Sequence, residues 1–162
     1  MGLTRINNQA LTDITSAGLP TKSGSVIQVK HALSTTQMNG FTSDTWVDAT
    51  GFSVTITPTS SSSKFYITAS AGSLNSNNNY IGFQIVRGST VVQRNWTYHN
   101  QAVTWDGCLN AALSAVDEPA TTSAITYKVQ IYADIGTSNF YFNYGGISNS
   151  SKAGITVMEI AG

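Results

Sequence analysis

Residues 53–72 read SVTITPTSSSSKFYITASAG, two alternating runs separated by four consecutive serines. On the first side, Phe52, Val54 and Ile56 share one face of an extended chain and Ser53, Thr55 and Thr57 the other. On the second side, Phe65, Ile67, Ala69 and Ala71 oppose Tyr66, Thr68 and Ser70. A period of two is that of a half-buried β-strand, so both runs predict strands with an apolar inner face. Pro58 has no N–H for a ladder and ends the first strand, and the serines, whose hydroxyls bond to nearby backbone, predict the hairpin loop between the two.

The same period recurs along the chain. SVIQVKHAL places Ile27, Val29, His31 and Leu33 on one face, read as the core side, with Gln28, Lys30 and Ala32 opposite. YIGFQIV alternates through Ile81, Phe83 and Ile85, and RGST, residues 87–90, turns the chain into VVQRNWTY as a second hairpin. After the polar loop DEPATTSA, ITYKVQIYA aligns Ile125, Tyr127, Val129 and Ile131, and NFYFNYG and GITVMEI complete the set. Eight to ten short strands with almost no helical period predict an all-β chain, an antiparallel β-sandwich or barrel. Long polar loops at residues 72–80 and 145–154 favour a jelly-roll-like sandwich over a tight barrel, and no internal repeat points to a solenoid or propeller. Residues 1–22 lack alternation and read as an extended N-terminal arm, with one turn of helix at most in NNQALTDITSAG, before a sandwich head over residues 23–162. Leu3, Ile6, Leu11 and Ile14 make that arm a candidate for docking onto a neighbour.

Composition narrows the function. Charged residues are 10% of the chain and apolar residues 41%, while serine and threonine together supply about a quarter, so neutral polar groups replace the missing charge. The chain is apolar enough to fold. Eight basic and eight acidic residues scattered singly give no phosphate-binding stripe, which argues against nucleic acid as a partner. Cys108 alone excludes an internal disulfide and reads as a small buried hydrophobe on a strand. No apolar run reaches the length of a membrane span or a signal-peptide core, and MGLTRI fails the myristoylation pattern at Ile6, so the expectation is a protein made in a cytoplasm, with no membrane partner.

No catalytic constellation stands out. His31 and His99 lie far apart in the sequence, and His31 falls on the face read as apolar, where a hydrogen-bonded core histidine is expected. Asp44, Asp48, Asp106, Asp117, Glu118 and Asp134 offer carboxylates for glycoside hydrolysis, but nothing in the sequence pairs any two. Phosphate loops, nucleophile elbows and calcium loops are missing. The chain therefore reads as a non-enzyme without cofactor or metal, and Asn95-Trp96-Thr97 and Asn149-Ser150-Ser151 read as chance sequons.

Certain strands are apolar on both faces. Tyr66, Tyr132 and Tyr141 lie opposite the inferred core, and Met158 and Ile160 lie opposite Ile155 and Val157. Side chains of this kind on an outer face are expected at an interface between copies, most simply in a homotrimer.

The strings GFSVTITPTSSSSKFYI, GFQIVRGSTVV, DEPATTSAITYKVQI and ITVMEIAG, in this order, resemble a module of virion and tail-fibre proteins of tailed phages, marine and cyanobacterial ones especially. The resemblance covers about residues 22–162, and LTRINNQALTDITSAG is similar to segments that precede such modules in longer fibres. It implies a trimeric β-sandwich head on a phage particle, held to other virion proteins by the N-terminal arm, with no catalytic residue and no cofactor. Starting at Met1 with a short arm, the chain departs from longer fibres in having no shaft of its own. The expected function is a short tail fibre or fibre head contacting the host surface. Asn75, Asn77, Asn78, Asn79, Tyr80, Trp96 and Tyr98 are its candidate contacts with host polysaccharide, since amides bond hydroxyls and aromatic rings stack on sugars. A capsid decoration protein without receptor binding, and a glycan-binding or glycan-hydrolysing sandwich, are the alternatives.

Overall fold

The computed structural model describes residues 22–39, 43–75, 79–99, 108–133, 141–143 and 152–162. Ten strands run through them: β1 (Val26–Ser34), β2 (Met38–Asn39), β3 (Ser43–Ile56), β4 (Lys64–Asn75), β5 (Asn79–Arg87), β6 (Thr90–His99), β7 (Cys108–Asp117), β8 (Ile125–Ala133), β9 (Tyr141–Phe142) and β10 (Ala153–Ile160). The proposed arm residues Leu3, Ile6, Leu11 and Ile14 lie outside the described residues.

Every pairing is antiparallel. One sheet is ordered β1-β10-β4-β7, with β9 taking the place of β10 beside the far end of β4 and pairing in turn with β2. The other is ordered β3-β8-β5-β6. Along the eight long strands the chain crosses between sheets at each step except the β5–β6 hairpin, and the resulting orders are those of a jelly roll. The fold is an all-β antiparallel sandwich of that type.

Between the sheets the alternating residues interdigitate. Phe52, Phe65, Ile67, Ile85, Val129, Ile131, Ile155 and Val157 are fully buried, as their period predicts. Phe52 packs against Phe83 and Phe142 at ring-centroid distances of 6.3 and 5.8 Å, and Phe65 against Tyr127 at 6.0 Å. β1 departs from expectation. Val29, His31 and Leu33 share a face, but it is the outer one: all three are exposed, whereas Ala32 packs on the core and Ser34 is buried. His31 is thus no core histidine; its Nδ1 lies 2.9 Å from Thr156 Oγ1 on the neighbouring strand. Toward its end the inner side of this edge strand meets β3 closely, with Ser34 Oγ donating to Thr50 O at 2.8 Å, and there it carries the small residues Ala32 and Ser34 while Leu33 lies outside. The polar stretch at residues 72–80 also differs from a long loop, because β4 runs on to Asn75 and β5 begins at Asn79.

The serine run is not the loop of a hairpin, because β3 pairs with β8 in one sheet and β4 with β10 and β7 in the other; it is a crossover between layers, and it has a second role. Glu159 follows Ile155 and Val157 on the inner side of β10 and is 0% exposed. Its Oε1 accepts hydrogen bonds from Thr59 N and Thr59 Oγ1, both at 2.7 Å, and from Ser63 Oγ at 2.6 Å, while Oε2 accepts from Gln28 Nε2 at 2.5 Å. The loop between β3 and β4 is folded around a buried carboxylate, which satisfies the charge and fixes the loop. Burial alone would raise the Glu159 carboxyl, but the hydrogen bonds from Ser63, Gln28 and Thr59 outweigh it and hold the group below the usual glutamate range.

Candidate functional site

The two sheets present outer faces of different chemistry. On β1-β10-β4-β7 the register aligns side chains in rows across four strands. Val29 pairs with Met158, Met158 with Tyr66, and Tyr66 with Val116. This row is apolar from edge to edge, and Val29, Tyr66 and Val116 are 52%, 36% and 59% exposed. In the next row, His31, Thr156, Thr68 and Ser114, and in the one beyond it, Leu33, Gly154, Ser70 and Ala112, the positions inward of the β1 edge are small or hydroxylated. His31, Thr68, Ser70, Ala112, Ser114, Gly154 and Thr156 from these rows line a shallow trough of ≈ 400 Å³. On the other side of the apolar row lie Ile160 and the exposed Lys64–Glu118 ion pair, 2.8 Å apart. The three interface candidates Tyr66, Met158 and Ile160 therefore meet on one face. Tyr132 lies on the other sheet, and Tyr141 is placed in β9 by its backbone pairing with Asn39 and Asn75.

The outer face of β3-β8-β5-β6 is built around a glycine. Gly82 pairs with Trp96 on one side and Tyr132 on the other, and a Cβ added to it would lie 2.5 Å from Trp46 Cη2 and 3.0 Å from both Trp96 Cζ3 and Tyr132 Cβ. The bare backbone lets three aromatic side chains close over the strand. Ring centroids are 5.3 Å apart for Trp46–Trp96, 5.0 Å for Trp96–Tyr132 and 5.5 Å for Trp46–Tyr132, with edge-on or tilted planes. The Arg94 guanidinium carbon stands 4.8 Å from the Trp46 ring centroid, within cation–π range. Trp96 remains 46% exposed. Replacing Gly82 by alanine is expected to lower stability by about 1–3 kcal/mol, since rigid rings and not a flexible chain end must move; tryptophan fluorescence and thermal unfolding of the variant check this.

Two residues along each strand lies a second row, wholly polar. Arg94 Nε donates to Gln84 Oε1, Gln84 Nε2 to Gln130 Oε1, and Gln130 Nε2 to Asp48 Oδ1, each at 2.7 Å. Lys128 Nζ closes the chain on Asp48 Oδ2, also at 2.7 Å. Burial would raise the Asp48 carboxyl, but the bonds from Lys128 and Gln130 keep it below its ordinary value. Tyr132 Oη donates to Asp44 Oδ1 at 2.8 Å.

Of the candidate receptor contacts, Trp96 belongs to the aromatic cluster and Tyr80, exposed, stands two residues from Gly82 on the same strand. Tyr98 pairs with Tyr80, while Asn75 ends β4 and Asn79 begins β5. Asn77 and Asn78 lie outside the described residues. The strand register puts Asn75, Asn79, Tyr80 and Tyr98 at the pole of the sandwich opposite the start of β1 and the end of β10, where Gly24 N donates to Ala161 O and Ala161 N to Ser25 O, both at 2.8 Å. Sequence reasoning missed Trp46, Gly82 and Arg94, and an isolated glycine inside an alternating strand was the available signal. It also placed Asp117 in the polar loop DEPATTSA, whereas the residue ends β7 and its carboxylate accepts from Arg87 Nε at 2.6 Å and from Tyr127 Oη at 2.8 Å across the sandwich. Burial pushes the Tyr127 phenol up, and its bond to Asp117 adds to the shift. Among the described residues no group of three His, Cys, Asp or Glu is placed to hold a metal ion, and no helix is long and apolar enough to cross a membrane.

No protein-family model matches the chain, and no curated protein matches it by sequence. Similar solved structures include that of infectious bursal disease virus Gx strain, with a TM-score of 0.49 and 14% identity over 83% of this chain and 32% of that one. The crystal structure of the infectious bursal disease virus VP2 subviral particle gives 0.46 and 14% over 85% and 34%. The chain spans about a third of the length of these viral chains.

Proposed function

We propose that the chain is a structural component of a tailed-phage particle, a short tail fibre or fibre head in which copies of the jelly roll associate as a trimer. In this reading the copies meet through the outer face of β1-β10-β4-β7. The observation that carries it is the row Val29, Met158, Tyr66 and Val116, which crosses the whole sheet with its apolar side chains outward. An uninterrupted apolar row beside small hydroxylated ones suits contact with a second protein surface, because little has to be desolvated at a cost. The low charge of the chain and its ordered resemblance to phage fibre modules support the same reading. Other virion proteins would be engaged by residues 1–22, and the opposite pole, with Asn75, Asn79, Tyr80 and Tyr98, would face the host. Capsid decoration shares the self-association and differs in location.

Light scattering after size exclusion tests the association. The wild type is expected at three times the chain mass of 17.2 kDa, and Tyr66→Asp combined with Val116→Lys at one. A monomeric wild type at micromolar concentration would defeat the assembly reading. Immunogold labelling of virions then separates fibre from decoration: label on the capsid and none on the tail excludes the fibre.

A further inference from the structure

The two outer faces differ in a way that assigns them different partners. Between its edges, and among the described residues, the apolar face of β1-β10-β4-β7 carries arginine, lysine or acid only in the Lys64–Glu118 pair. The aromatic face of β3-β8-β5-β6 couples its rings to Arg94, Gln84, Gln130, Asp48 and Lys128, joined by hydrogen bonds. Covering that row with another protein would strip water from two cations and a carboxylate, so a second copy is the poorer occupant.

We infer that the aromatic face is a binding site for a pyranose-based polysaccharide, with a sugar ring stacked on Trp96 and its hydroxyls bonded by Arg94 and its neighbours. A pyranose ring has an apolar C–H face and a rim of hydroxyls, and needs an aromatic surface with polar groups close beside it. Here the rows are about 7 Å apart, two residues along a strand, which places the polar row under the rim of a ring lying on Trp96. Arg94 uses its Nε on Gln84 and keeps its terminal amino groups as donors, while Asp44 and Asp48 present carboxylate oxygens as further acceptors. Both Trp46 and Tyr132 hold Trp96 edge-on, so the platform is set before any ligand arrives, which lowers the ordering cost of binding. This site stands on strands and not on the asparagine-bearing segment between β4 and β5. It rests on the reading of the chain as a host-contacting virion protein and names what it contacts.

The test applies the purified full chain to an array of immobilised pyranosyl oligosaccharides, neutral and uronic-acid-containing. The wild type is expected to bind at least one of them. For that glycan Trp96→Ala should weaken binding about tenfold or more, Arg94→Ala should weaken it measurably, and Trp96→Phe should retain most of it, since the smaller ring still stacks. Circular dichroism confirms that each variant is folded. Binding to no glycan, or equal binding by the wild type and Trp96→Ala, overturns the inference. So does a change of solution mass in Trp96→Ala, which would mean that this face meets another copy. The assembly reading is judged separately by Tyr66→Asp with Val116→Lys: a monomeric wild type that still binds sugar through Trp96 refutes the assembly and upholds the site.

Discussion

Glu159→Ala is expected to lower the free energy of unfolding by about 3–4 kcal/mol, read from urea midpoints at neutral pH. The substitution removes the acceptor for the Gln28 amide, the Thr59 N–H and hydroxyl, and the Ser63 hydroxyl in one step, and Ser63 is itself buried. Without the carboxylate, the loop between β3 and β4 loses what it is wrapped around, and the crossover joining the two sheets at this end loosens. The same group makes stability depend on pH in one direction. Because Glu159 is held below the ordinary glutamate value of 4.5, its contribution is complete above that value. It is lost as pH falls through the lower folded value, where the carboxylate gains a proton and the donors lose their charged acceptor. Glu159→Gln is therefore expected to be less stable than the wild type at pH 7 and to show a smaller further loss as pH is taken below 4.5. Equal slopes in that window would mean that the carboxylate is not the acid-sensitive group.

The second large effect is expected at Asp117. Its carboxylate, on β7 of one sheet, accepts from Arg87 and Tyr127, which face each other across β5 and β8 of the other. The Asp117 and Arg87 side chains are 12% and 26% exposed. The pair thus sits at the margin of the sandwich and ties one layer to the other. Asp117→Ala leaves a guanidinium and the hydroxyl of a buried tyrosine without their acceptor, and a loss of about 2–4 kcal/mol is expected. Its neighbour is the internal control. Glu118 bridges to Lys64 with both side chains at least half exposed, so Glu118→Ala is expected to cost about 0–0.5 kcal/mol. Thermal or urea unfolding of the two variants side by side checks the contrast; equal losses would show that the cross-sheet bond contributes nothing special.

The strands that were legible in the sequence are those with large apolar residues on one face and polar ones on the other. Phe52, Val54 and Ile56, or Ile155 and Val157, leave only one way to face the core. In β1 the pattern is clear and its sign is wrong, because alternation says which residues share a face and not which face a partner strand or sheet will cover. The inner positions Ala32 and Ser34 are small since β3 comes close there, and only the three-dimensional pairing shows it. Glu159 was readable in principle: the phase that puts Ile155 and Val157 inside carries it inside too, opposite a run of hydroxyls. The aromatic cluster was less so. Trp96 could be singled out by type, but its partners Trp46 and Tyr132 come from strands 50 and 36 residues away, brought beside Gly82 by sheet order alone. Asp117 hides for the same reason, as its partners lie on the opposite layer.

The backbone bonds joining Gly24 and Ser25 to Ala161 bear on how the molecule would carry force. Incoming and outgoing chain leave side by side, at the start of β1 and the end of β10. Tension drawn between them would open that strand pair one rung at a time, the weak mode of a zipper. If both were anchored on one body, a pull on the far pole would load many rungs at once and the ladder would resist in shear. A sandwich fastened in the second manner would withstand a pull on its far pole without shedding its first strand.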